Sequence, residues 1–195
     1  MGADVSSRYN PPAMALHWLI AALLLTNIGL AWYFNTLHGL AKDVPVQWHK
    51  SIGITVLILS LMRLAWRFIA PPPPLPRSVR GWERLVANTV YVLFYGVMIG
   101  MPLSGWALSS ASPLIHFRPI RLYGLVTWPA IGPLTTLPHD QMTFAHETAV
   151  SVHGLLAKMA YALIVLHVGA ALRHYFLLKD GVVGRMTPFL KVRGA

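Results

Sequence analysis

The chain has 195 residues, 55% hydrophobic and only 11% charged, with a formal net charge of +10 and no cysteine. A soluble domain carries about 25% charged residues, so an ordinary soluble enzyme and a disordered tail are both excluded. The missing cysteine excludes disulfides, thiolate nucleophiles, cysteine-ligated clusters and a covalently attached c-type haem.

The length suits one membrane domain, residues 1–195, with four crossing helices of roughly 20 apolar residues each. In chain order, the stretch between Arg8 and Lys42 holds 33 residues without a formal charge. It predicts a first helix over 13–34, entered through Pro11 and Pro12 and closed by Trp32 and Tyr33 at an interface. We expect this span to be retained rather than cleaved as a signal, because it is long and lacks a small-residue cleavage motif. A second span is expected over 48–69, interrupted only near its ends by Lys50, Arg63 and Arg67, and stopped by the proline run 71–74. The third, over 82–108, carries a small-xxx-small pair, Gly96 and Gly100, and a kinking Pro102. The fourth is expected over 147–178. Between the last two lies a long loop, 109–145, rich in proline and aromatics, and a connection of that length is usually functional.

Loop cations set the orientation. Eleven lie on one side (Arg8, Arg63, Arg67, Arg77, Arg80, Arg84, Arg173, Lys179, Arg185, Lys191, Arg193) and five on the other (Lys42, Lys50, Arg118, Arg121, Lys158). The positive-inside rule therefore predicts both termini in the cytoplasm. Cations placed at the ends of apolar runs are topology signals, so no nucleic-acid partner is expected.

Metal-binding residues at membrane depth are costly and mark function. His17 lies near the cytoplasmic end of the first span, His49 opens the second on the outer side, and His153 and His167 share the fourth. Fourteen residues on a helix fall about 40° short of four turns and span about 21 Å, so the last two share a face with one imidazole in each leaflet. Depth then pairs His17 with His167 and His49 with His153. Two imidazoles leave a bare metal ion short of ligands, whereas a haem supplies four equatorial nitrogens and needs two axial ones. Small residues such as Gly53, Gly169 and Ala170 leave room for a flat macrocycle. Two haem b groups are therefore expected, with these four histidines as iron ligands. His146 and His174 flank the set seven residues out at either end, at the interfaces, where loop or propionate contacts are expected of them. His38, His116 and His139 fall in outer loops.

These residues carry a resemblance. "AMALHWLIAALLL" with its His17–Trp18 pair, "WHKSIGITVLILSLMRLAWR" around His49, Gly53 and Arg63, the fourth span with its two-histidine spacing and its "HYF" close at His174 to Phe176, and "GRM" at Gly184 to Met186 together resemble the bacterial cytochrome b-561 family. The resemblance covers nearly the whole chain. It implies four helices in the bacterial inner membrane, two b haems and electron exchange with the quinone pool. Within the family it points towards oxidation of superoxide to dioxygen with ubiquinone as acceptor. The outer cations Lys42, Lys50, Arg118, Arg121 and Lys158 suit that reading, since a basic mouth attracts a small anion. Lys158 alternatively snorkels to the headgroups. Glu147, Asp140, His139 and His146 are candidate proton donors to quinone. Competing readings are a cytochrome b subunit anchoring a partner dehydrogenase or hydrogenase, and a metal transporter without redox chemistry. The latter would place ionisable residues near the bilayer middle, which here is apolar.

Overall fold

Four long helices dominate the computed structural model, which describes residues 8–74, 81–187 and 189. The loop cations Arg77, Arg80, Lys191 and Arg193 counted above lie outside the described residues. The helices are α1 (Pro11–Asn35), α2 (Asp43–Ile69, after a 3-10 turn Gly39–Lys42), α3 (Gly81–Ser110) and α5 (His139–Leu172), the last continuing as a π-helical turn Arg173–Leu178. A short hairpin, β1 (Ile120–Leu122) and β2 (Val126–Trp128), and a one-turn helix, α4 (Gly132–Thr135), lie between α3 and α5. All four long helices are apolar enough to cross a membrane. The chain is a multi-pass membrane protein.

Each helix starts where local chemistry allows. Asn10 caps α1, its Oδ1 accepting from Ala13 N–H at 3.0 Å, with prolines in the first turn where a missing N–H costs nothing. The same Oδ1 accepts from Trp66 Nε1 at 2.9 Å, tying the start of α1 to the end of α2. Asp43 begins α2 five residues before the expected start, its carboxylate placed favourably at the positive helix end. Helix α5 begins at His139, eight residues ahead of the expected Glu147, because Pro138 and Asp140 make a good helix start outside the apolar span. The long loop is correspondingly shorter than 109–145. Pro102 lies inside α3, which runs on to Ser110.

Packing runs α1 on α2, α2 on α3, and α3 on α5. Ile20, Ile52, Val56, Tyr95 and Met98 form one buried cluster among the first three long helices, and Val97, Ala160 and Leu163 a second between α3 and α5. A Cβ on Gly100 would sit 3.5 Å from Leu156 Cδ1, so this glycine lets α3 and α5 approach, whereas Gly96 faces open space. Helix α5 makes few direct contacts with α1 or α2. A cleft therefore separates α5 from that pair. Outward-facing side chains such as Phe68, Val165 and Leu177 are highly exposed, as a lipid-facing surface requires.

The hairpin is clamped to one stripe of α2. Gln47 Nε2 donates to the Pro119 carbonyl at 3.0 Å while its Oε1 accepts from Arg121 N–H at 3.2 Å. One turn further along, Ser51 Oγ accepts from Tyr123 N–H at 2.9 Å, and another turn on Thr55 Oγ1 meets the Tyr123 hydroxyl at 2.6 Å. Those bonds hold Tyr123 in the left-handed region, φ 52°, a conformation that costs a non-glycine residue of order 1 kcal/mol. On the other side Trp106 Nε1 donates to the Pro129 carbonyl at 2.8 Å, and Ser110 Oγ accepts from Ile131 N–H at 3.0 Å. Both ends of the connection are thus fixed over one end of the bundle, called here the hairpin end. The opposite end, called here the termini side, carries the start of α1 and the segment around Met186, where Tyr9 N–H donates to the Arg185 carbonyl at 3.1 Å.

Asn10 serves as helix cap and as the partner of Trp66. Asn10→Ala is expected to cost about 1–2 kcal/mol, read as a lower Tm of the detergent-purified protein, whereas Asn10→Asp should keep most of the stability. Equal melting of the wild type and Asn10→Ala would contradict this role.

Candidate functional site

The cleft is where the four predicted histidines meet. His17 on α1 faces His167 on α5 with ring centroids 6.1 Å apart and planes at 69°. His49 on α2 faces His153 on α5 at 6.2 Å and 73°. Two axial metal–nitrogen bonds of about 2 Å, plus the distance of about 1.2 Å from each ligating nitrogen to its ring centre, put the centroids of an iron-bridged imidazole pair roughly 6.4 Å apart. Both pairs stand close to that spacing. Among the described residues no three His, Asp or Glu side chains converge to hold a bare metal ion. Each pair therefore offers two ligands, as a porphyrin iron requires.

Space beside the pairs also fits a flat ring. A Cβ on Gly154 or Gly169 would meet nothing within 4 Å, and one on Gly53 only Asn27 Nδ2 at 3.8 Å. Asn27 Oδ1 is buried and without a hydrogen-bond partner among the described residues, so this wall of the cleft has an unsatisfied polar atom.

Hydrogen bonds at the hairpin-side pair determine which ring nitrogen is free. His49 Nδ1 lies 3.1 Å from the Asn27 carbonyl, and His153 Nδ1 lies 3.1 Å from the Met101 carbonyl. A carbonyl only accepts, so each Nδ1 carries the proton and each Nε2 keeps its lone pair for a metal. Ser104 Oγ stands 3.0 Å from His153 Nδ1 and donates its own proton to the Met101 carbonyl at 2.7 Å. Gly105 completes this socket: a Cβ there would lie 3.2 Å from His153 Cε1. The termini-side pair is set differently. His17 stacks edge-on against Trp18 at 5.2 Å, His167 against Phe94 at 5.4 Å, and Arg63 is close enough to act electrostatically on both imidazoles. Trp18 Nε1 donates to the Met186 carbonyl at 2.8 Å, so the C-terminal segment closes over this end.

A cavity of about 500 Å³ opens at the hairpin end, lined among others by Lys50, Arg118, Arg121, Asp43 and His146. Lys50, Arg118 and Arg121, three of the five outer cations expected to form a basic mouth, are therefore brought together at the hairpin end. Arg118 is paired with Asp43 at 2.7 Å, both half-exposed. Lys158 does not line this cavity. Five residues from His153, it is rotated by about 140° around α5 away from the imidazole face, and its side chain is exposed.

The flanking histidines have other partners. His146 Nδ1 donates to the Leu108 carbonyl at 2.8 Å, and His174 Nδ1 to Asp180 Oδ2 at 2.6 Å. His38, His116, His139, Asp140 and Glu147 are exposed. Sequence reasoning missed Asn27, Met101, Ser104, Gly105 and the Asp43 carboxylate. Asn27 had a signal, as an amide in the middle of the first apolar span. Met101 acts through its carbonyl and Gly105 through an absent side chain, and neither function has a residue-type signal.

Comparison with known proteins agrees with this architecture. Residues 8–189 match the family described as prokaryotic cytochrome b561. The chain is 33% identical to "Cytochrome b561 homolog 2" of Escherichia coli (strain K12), over 94% of its length and 93% of the relative's. It is 30% identical to "Probable superoxide oxidase CybB" of Yersinia pestis, over 96% and 98%. With "Cytochrome b561 homolog 1" of the same E. coli strain the identity is 26%, over 93% and 98%. The chain belongs to the prokaryotic cytochrome b561 family, whose members are electron-transfer proteins that bind b-type haem.

The pairing is open to test by substitution. His49→Ala or His153→Ala should remove one haem spectrum and leave a second visible, with Gly105→Ala weakening haem binding at the same site by roughly tenfold. Loss of both haems together, or of neither, would contradict it.

Proposed function

We propose that this cytochrome b561 holds two b haems stacked across the membrane, one between His49 and His153 and one between His17 and His167. It would oxidise superoxide at the hairpin end and deliver the electrons to ubiquinone. The balanced reaction converts two superoxide anions, one ubiquinone and two protons into two dioxygen molecules and one ubiquinol. When bound, each haem supplies a one-electron carrier.

The observation that carries this reading is the basic cavity at the hairpin end. Lys50 follows His49 directly in sequence and lines the cavity with Arg121 and Arg118. Such a mouth with low-dielectric walls concentrates a small anion and raises its capture rate. Oxidation of superoxide needs no proton, so the residues here have only to attract the anion and bring it within electron-transfer range. Asp43 opposes them by neutralising Arg118. The bias of loop cations supports the hairpin end as the outer face of a bacterial inner membrane, with both termini in the cytoplasm. The relative named as a probable superoxide oxidase supports the choice of donor.

Rapid mixing of the oxidised, detergent-purified protein with superoxide, following haem absorption, tests the reading. Fast reduction that slows as ionic strength rises is expected. Lys50→Ala should slow it about threefold and flatten its salt dependence, while Asp43→Asn should accelerate it, because it frees the Arg118 charge. A haem spectrum that stays oxidised would overturn superoxide as the donor, as would a rate indifferent to both substitutions.

A further inference from the structure

The two imidazole pairs are not equivalent, and the difference has a direction. At the hairpin-side pair both Nδ1–H groups donate to backbone carbonyls, Asn27 at 3.1 Å and Met101 at 3.1 Å, and His153 has Ser104 Oγ at 3.0 Å as well. Donation from Nδ1 to an oxygen makes an imidazole a stronger electron donor through Nε2. A more electron-rich axial ligand favours oxidised iron and lowers the reduction potential. At the termini-side pair, neither His17 nor His167 makes such a bond among the described residues. Arg63 acts on both of these rings, as Lys50 acts on His49 at the other pair. A fixed positive charge beside a metal centre favours its reduced state and raises the potential.

Because a cation acts on each pair, the hydrogen bonds are what distinguish them, and from these we infer that Ser104 is a positioning residue for the outer electron carrier. With the Met101 carbonyl and the space left by Gly105, it holds the hairpin-side haem at a lower potential than the termini-side haem, whose ligands have no such acceptor among the described residues. This rests on the reading that each pair ligates a haem. Its consequence, were a haem held at each pair, is that the ligand surroundings would favour an electron at the termini-side pair over the hairpin-side pair. Gly105 is part of the device because a Cβ there would lie 3.2 Å from His153 Cε1, so the ring could keep its place only by a shift of a few tenths of an ångström.

Potentiometric titration of the purified holoprotein, following the haem absorption bands, tests this. Two components are expected in the wild type, and His153→Ala should abolish the lower. Ser104→Ala should raise the lower component and leave the upper in place, while Ser104→Thr, which keeps the hydroxyl, should return it towards the wild-type value. Arg63→Gln provides an arm independent of the socket and should lower the upper component alone. The inference is overturned if His153→Ala abolishes the upper component, if Ser104→Ala moves neither or both equally, or if Thr fails to restore what Ala changes. A preparation that binds no haem would overturn the underlying reading as well, whereas two haems in the opposite order would overturn this inference alone.

Discussion

Imidazoles held about 6 Å apart across the cleft between α5 and the α1–α2 pair are the constraint on which the bundle depends. Helix α5 packs on α3 but barely on α1 or α2, so the two histidine pairs, with the hydrogen bond from Trp32 Nε1 to the Tyr161 hydroxyl at 3.3 Å, are what faces across that gap. In a membrane there is no hydrophobic driving force to press helices together, and specific polar or ligand-mediated contacts take that place. The apolar clusters around Ile52 and Val97 hold the remaining contacts. Gly53, Gly154 and Gly169, on the helices that carry the paired histidines, leave open space where a side chain would stand.

The connection between α3 and α5 belongs to the same design. Its hairpin hangs on the Gln47, Ser51 and Thr55 stripe of α2, the helix that carries His49. Arg118 and Arg121 thereby line one cavity with Lys50, the residue that follows His49. At the opposite end the segment around Met186 folds back on Trp18, beside His17. The two ends thus differ: a cavity lined by Lys50, Arg118 and Arg121 lies at one, and the Trp18–Met186 contact at the other, and the two imidazole pairs differ in their hydrogen bonds.

Much of this was legible in the residues. Charge-free runs of membrane length announced the helices, and a 14-residue spacing on α5 placed its two imidazoles on one face. Periodicity alone carries that information. Helix starts were misjudged where polar first turns extend beyond the apolar span, as at Asp43 and His139. The mouth was legible only in part. Lys50, Arg118 and Arg121 converge through the fold of a hairpin, whereas Lys158, close to His153 in sequence, is turned aside by helix geometry. The His153 socket was hidden because a backbone carbonyl and a missing Cβ have no residue-type signature, and because Ser104 looks like any small residue in an apolar helix.

The central claim is that this one chain carries two axial-ligand pairs, each bridged by its own haem. The most direct test is the haem-to-polypeptide ratio of the purified protein, with haem quantified as its pyridine complex and polypeptide by amino-acid analysis. A ratio of two noncovalent b haems per chain is the result the account predicts. A fully loaded preparation with one haem per chain, or none, would contradict it.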